Sequence, residues 1–115
     1  MTYKMAQRKY LEEKIKNASP EELMFMTFEY TLTSLKKKDT NKARRGIREL
    51  IDAIDLEKGG NLATNLISLY EYTLNCVYKG ELEEAYDIIK VLYDAFRESY
   101  NKMKQKGGKE DDRIH

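Results

Sequence analysis

The sequence has no tryptophan, one proline (Pro20), one cysteine (Cys76) and one histidine, His115, the last of its 115 residues. Each scarcity removes a class of function. A lone cysteine forms neither an internal disulfide nor a cysteine cluster for zinc, and a single histidine at a chain end leaves triads and His-containing metal sites without material. No apolar run approaches the roughly 18 residues that a membrane helix needs, and the opening MTYKMAQRKY lacks the apolar stretch of a signal peptide. The expectation is a cytoplasmic protein that is not an enzyme, with no metal and no cofactor. Glycine is also sparse, at six, and no segment alternates polar with apolar residues, so strands are not expected.

What remains is charge and helical periodicity. Hydrophobic residues make up 41% of the chain and charged ones 36%, enough for one folded domain with an ionic surface. The few breakers fall at Ser19-Pro20, Lys38 to Asn41, Gly59-Gly60, Gly80 and Gly107-Gly108. Ser19-Pro20-Glu21-Glu22 reads as a helix start: Ser as N-cap, Pro where no N–H is needed, and Glu22 placed for a capping box.

Four helices are expected, Pro20 to about Lys37, Thr40 to Glu57, Asn61 to about Lys79, and Glu81 to about Lys104. The first opens with Leu23-Met24-Phe25-Met26-Thr27-Phe28, apolar around more than half its circumference, which requires cover on more than one side. The second has one stripe, Ala43, Ile47, Leu50, Ile51 and Ile54, as an ordinary surface helix does. The third has two rows: Leu62, Leu66, Leu69 and Cys76, and beside them Ala63, Ile67, Tyr70, Leu74, Val77 and Tyr78. The fourth carries a main row that includes Leu82, Ala85, Ile89, Tyr93, Phe96 and Tyr100, plus an offset row of Ile88, Val91 and Ala95.

Short turns between helices of this length predict an all-α, antiparallel up-down four-helix bundle over 19–104. A basic N-terminal segment, 1–18, is expected to form a short helix that docks only conditionally, and 105–115 to be a disordered tail.

The net charge of +1 hides an imbalance: residues 36–48 hold seven basic side chains and one acid, while 49–98 hold four basic and eleven acidic ones. The basic corner lacks interleaved aromatics and a helix-turn-helix pattern, so no nucleic acid is expected as a partner, and steering of an acidic protein is the simpler reading. The pairs Glu49 with Asp52 and Glu84 with Asp87 have a spacing that di-iron bundles use, but those sites also require histidine. Nine tyrosines, most on or beside apolar rows, suit an interface with one apolar and one wet end. Rows broader than a four-helix core needs predict an exposed apolar groove that accepts helices of another chain. An unfilled groove also invites self-association.

Two stretches carry a resemblance. NASPEELMFM, Asn17 to Met26, is similar to a T-A-[ST]-P-x-x-L-x-x-M-L helix start, with Tyr10 and Ile15 ahead of it. LEKGGNLATNLISLYEYTL, Leu56 to Leu74, resembles a Gly-Gly-like turn followed by A-x-N-L-x-x-L-Y-x-Y, carried by Ala63, Asn65, Leu66, Leu69, Tyr70 and Tyr72. Both are features of the FliS family of flagellar secretion chaperones. The chain departs from that pattern in a shorter connection around Lys36 to Lys42 and in having Phe96 or Tyr100 where a tryptophan is usual.

The resemblance implies a cytosolic chaperone that binds the disordered C-terminal segment of flagellin, prevents its premature polymerisation and assists its delivery to the flagellar export gate, a membrane protein, without inserting into the membrane itself. For flagellin contact it points to Met24, Phe28, Leu50, Ile54, Ala63, Asn65, Leu66, Ile67, Tyr70 and Leu74, some of which must serve the core instead. For the export gate it points to Tyr10 and Ile15. The same N-terminal segment is alternatively a cover for the empty groove. A helical adaptor for another flagellar or regulatory protein, using the same groove, is the other reading.

Overall fold

A computed structural model describes residues 2–114, with side chains described to Gln105. It is all-helical over those residues: α1 (Tyr3–Asn17), α2 (Pro20–Lys36), α3 (Thr40–Asp52), α4 (Leu56–Tyr78) and α5 (Leu82–Ile114).

Each start has a local cause. Thr2 caps α1 by accepting the Met5 N–H at 3.3 Å. Ser19 caps α2 by accepting the Glu22 N–H at 3.2 Å, and its hydroxyl donates to Glu22 Oε1 at 3.3 Å. The carboxylate thus takes the serine proton, where a reciprocal capping box would have it take the backbone N–H. Asp39 accepts the Lys42 N–H to start α3.

The junction of α3 and α4 lies five residues earlier than the glycine pair suggests. Asp55 accepts the N–H groups of Glu57 and Lys58, both at 3.1 Å, and so starts a new turn where the sequence predicts helix to Glu57. A short side-chain acceptor that satisfies free N–H groups stabilises a helix start more than it does a helix interior. The expected break is still present as a kink inside α4, where Gly60 has φ 55° and ψ −133°, a conformation that side chains with a Cβ resist. Beyond Lys104, where a tail is expected, the backbone of α5 continues helically to Ile114. Extending an existing helix avoids the cost of nucleating one. His115 lies outside the described residues.

α2 packs against α3 and α5, and α4 packs against the same two helices, so α2 to α5 close a ring of contacts. Phe25, Phe28, Leu32 and Leu35 of α2, Ala43, Ile47 and Leu50 of α3, Tyr70, Cys76 and Val77 of α4, and Ala85 and Ile89 of α5 form the core. On the α2–α5 side the core closes with rings: Phe25 meets Tyr93 at 6.0 Å and Tyr100 at 5.4 Å, and Phe28 meets Tyr93 and Phe96 at 5.9 Å, mostly edge to face. Phe96 and Tyr100 supply this aromatic wall in the absence of tryptophan. α3 comes so close to α2 that a Cβ on Gly46 would lie 2.1 Å from Thr31 Oγ1.

α1 stands apart from this core. Every residue of it is exposed, including Tyr3, Met5, Tyr10, Leu11 and Ile15. The Cα extents are 55 × 49 × 24 Å and the radius of gyration 16.8 Å, against about 13 Å for a compact domain of similar length, as the separate α1 and the 33-residue α5 both require.

Candidate partner-binding surface

The side chains named for flagellin contact divide into three groups. Phe28, Leu50, Ala63 and Tyr70 are buried in the core and present no free surface in this packed state. Burial also pushes the Tyr70 phenol well above its ordinary range. Met24 and Ile54 are half-buried against the core, on α2 and in the connection after α3. Ile67 and Leu74 are half-buried on the stripe of α4 that includes Tyr78, whose hydroxyl accepts a bond from Arg48 of α3 at 2.8 Å, so they belong to the α3 side. Leu66, half-buried, and Asn65, exposed, border the opposite side of α4, which faces α5.

That opposite side carries a row of exposed apolar side chains. The Tyr72 hydroxyl donates to Glu84 Oε1 at 2.6 Å and fixes the level of α4 against α5. The bond also raises the Tyr72 phenol to about 12. The two helices run in opposite directions from the turn at Lys79 to Glu81, so going down α4 through Leu69, Asn65 and Leu62 is matched by going up α5 through Ile88, Val91 and Ala95. At 1.5 Å per residue the strip from Tyr72 to Leu62 is about 15 Å long. Leu62 is 75% exposed and Val91 66%, values that no core residue approaches, while Leu69 and Tyr72 are also exposed. Asn65 is the amide in the middle of this strip. Leu62, Leu69, Ile88, Val91 and Ala95 are absent from the residues expected to contact flagellin. The signal for Leu62 and Leu69 was the first of the two rows on α4, and for Ile88, Val91 and Ala95 the offset row of α5, which repeats at three and four residues but sits beside the row that fills the core.

Tyr10 and Ile15, named for the export gate, are both exposed on α1 and remote from the strip in sequence and packing.

A cluster of potential ligand atoms occurs at the end of the strip, where Cys76, Glu81 and Glu84 lie within 4.8 Å of one another. Burial and the Glu84 charge raise the Cys76 thiol, which disfavours the thiolate that metal ligation needs. Among the described residues no helix is long and apolar enough to cross a membrane.

Comparison with known proteins adds one finding. Residues 33–106 match the family described as flagellar protein FliS. No curated protein and no solved structure gives a significant match. The matched span runs from the end of α2 through α3, α4 and most of α5, and so includes the whole strip between α4 and α5. With well over half of its length matched, the chain belongs to the FliS family, whose members are flagellar export chaperones and not enzymes.

Proposed function

We propose that this protein is a flagellin-specific export chaperone that binds the C-terminal segment of flagellin in the cytosol, prevents its premature polymerisation and assists its delivery to the export gate. On this reading α2 to α5 form an antiparallel up-down four-helix bundle, and the strip between α4 and α5 receives helices from the C-terminal segment of flagellin. The observation that carries the reading is the pair of apolar rows, exposed Leu62 and Leu69 on α4 and exposed Val91 and Ala95 with half-buried Ile88 on α5, beside the filled core.

A guest segment that is disordered when free must lose conformational freedom to bind, and each square ångström of apolar surface it covers returns about 25 cal/mol. A row of aliphatic side chains is suited to this, since a non-directional surface accepts the apolar stripe of an amphipathic helix. Asn65 in its middle is placed to hydrogen-bond the guest and fix its register. Leu66, Met24, Ile54, Ile67 and Leu74 contribute where the guest wraps further, and the buried Phe28, Leu50, Ala63 and Tyr70 support the surface from beneath. Tyr10 and Ile15 on the projecting α1 are free to meet the membrane-embedded export gate once flagellin is loaded.

Mixing the protein with a C-terminal flagellin peptide is expected to give a one-to-one complex by light scattering, with increased helicity by circular dichroism. Absence of binding at tens of micromolar, together with recovery of a different flagellar protein from a cytosolic extract, overturns flagellin specificity in favour of an adaptor role.

A further inference from the structure

The arginines of α3 form a second surface that the flagellin strip does not use. Arg44, Arg45 and Arg48 lie within about a third of the helix circumference, turned away from the buried Ala43, Ile47 and Leu50. Two of them are held by a single tyrosine of the neighbouring helix. Arg48 Nη2 donates to the Tyr78 hydroxyl at 2.8 Å, and the Arg44 guanidinium stacks over the Tyr78 ring at 4.8 Å from its centre. Arg44 is further tied to the Asn41 side-chain carbonyl. Yet among the described residues none of the three arginines has a carboxylate within ion-pair distance, although lysines elsewhere on the surface do. Each guanidinium has five N–H donors, so most of theirs are unspent.

From this geometry we infer that the Arg44–Arg48–Tyr78 face is a docking site for an acidic helical segment of a partner protein. Arg44 and Arg48 are one turn apart, about 6 Å along α3, which matches two carboxylates one turn apart on an opposing helix. Tyr78 holds both guanidiniums in place before the partner arrives, so less side-chain freedom is lost on binding. The face suits an acidic helix better than a nucleic acid. Arg44 covers one face of the Tyr78 ring and leaves little platform for base stacking there. Glu49 and Asp52, exposed on the same helix, would repel a phosphate chain passing along α3, whereas a short acidic turn ends before reaching them.

The test uses the full chain and fluorescence anisotropy of three labelled probes: a helical peptide with glutamate at every fourth position, the same peptide with glutamine, and a single-stranded RNA of about 20 nucleotides. The glutamate peptide is expected to bind, the glutamine peptide to bind at least about tenfold more weakly, and added salt to weaken the interaction. The double variant R44Q/R48Q should lose about tenfold in affinity for the glutamate peptide, and Tyr78→Phe, which removes only the hydroxyl, about twofold to threefold. Both variants should keep their helicity and their binding of the flagellin peptide, so a failure here is separable from a failure of the flagellin reading. Equal affinity for the glutamate and glutamine peptides, or an unchanged affinity in R44Q/R48Q, overturns the proposal. Tighter binding of RNA than of the acidic peptide, lost in R44Q/R48Q, also overturns it and assigns the face to nucleic acid.

Discussion

α5 has two edges, and they differ in kind. Toward α2 it presents Tyr93 and Tyr100, edge to face with Phe25 and Phe28, and Phe96, tilted against Phe28, and both phenylalanines are buried. Toward α4 it presents half-buried Ile88 and exposed Val91 and Ala95, at the levels of Leu69, Asn65 and Leu62 on α4. On the proposed reading, one helix serves as a wall of the core and as a wall of the guest surface. The aromatic edge is directional and finished, whereas the aliphatic edge is non-directional and waits for more apolar surface. On that reading stability and binding fall to different residues of the same helix, and substitution can separate them.

The largest effect belongs to the closed edge. Phe28→Ala removes a ring with no exposed surface and should cost about 3–5 kcal/mol in urea denaturation. A loss under 1 kcal/mol would mean that the aromatic edge is not the anchor described here. On the open edge, Leu62→Asp with Val91→Asp should leave the denaturation midpoint nearly unchanged and weaken the flagellin peptide by more than about tenfold, or 1.4 kcal/mol. Equal binding by this double variant would move the guest site elsewhere.

A smaller effect sharpens the comparison at the turns. α2 and α4 end in the same hydrogen-bond pattern: Asp39 N–H to Ser34 O at 2.9 Å with Lys38 N–H to Leu35 O, and Glu81 N–H to Cys76 O at 2.8 Å with Gly80 N–H to Val77 O. The left-handed position is Lys38, φ 59°, in the first and Gly80, φ 79°, in the second. Gly80→Ala should then cost about 1 kcal/mol, and Lys38→Gly should gain up to about 1 kcal/mol, both read from thermal melts.

The smallest effect is at the end of the open strip. The hydrogen bond to Glu84 raises the Tyr72 phenol to about 12. Its contribution is present below the ordinary tyrosine value near 10 and is lost as pH rises through about 12. Ultraviolet titration should show one late-titrating exposed tyrosine that returns toward 10 in Glu84→Gln; no change in that variant would remove the bond from the account.

Much of the fold was legible because helix signals are local. Ser19 and Pro20 mark the start of α2 by supplying an acceptor and by needing no donor, and Gly80 marks the end of α4 because only the left-handed region closes that turn cheaply. Lys38 makes the same turn without the glycine that would announce it. Asp55 was harder to see, because an aspartate inside a periodic stretch looks like surface until its backbone partners are known. The candidate site was legible as a surplus of apolar rows on the last two helices, but its members were not. Periodicity gives the angle of a side chain around its own helix and says nothing about whether a neighbour covers that angle.

The sequence by itself thus determined the helical class, the turns and the excess of apolar surface, since these follow from spacing, capping and composition. Only the tertiary structure decided that Tyr70 and Phe28 fill the core while Leu62 and Val91 remain open, and that Tyr78 gathers Arg44 and Arg48. Burial and the pairing of charges are properties of two helices together, fixed by how closely and at what level they pack.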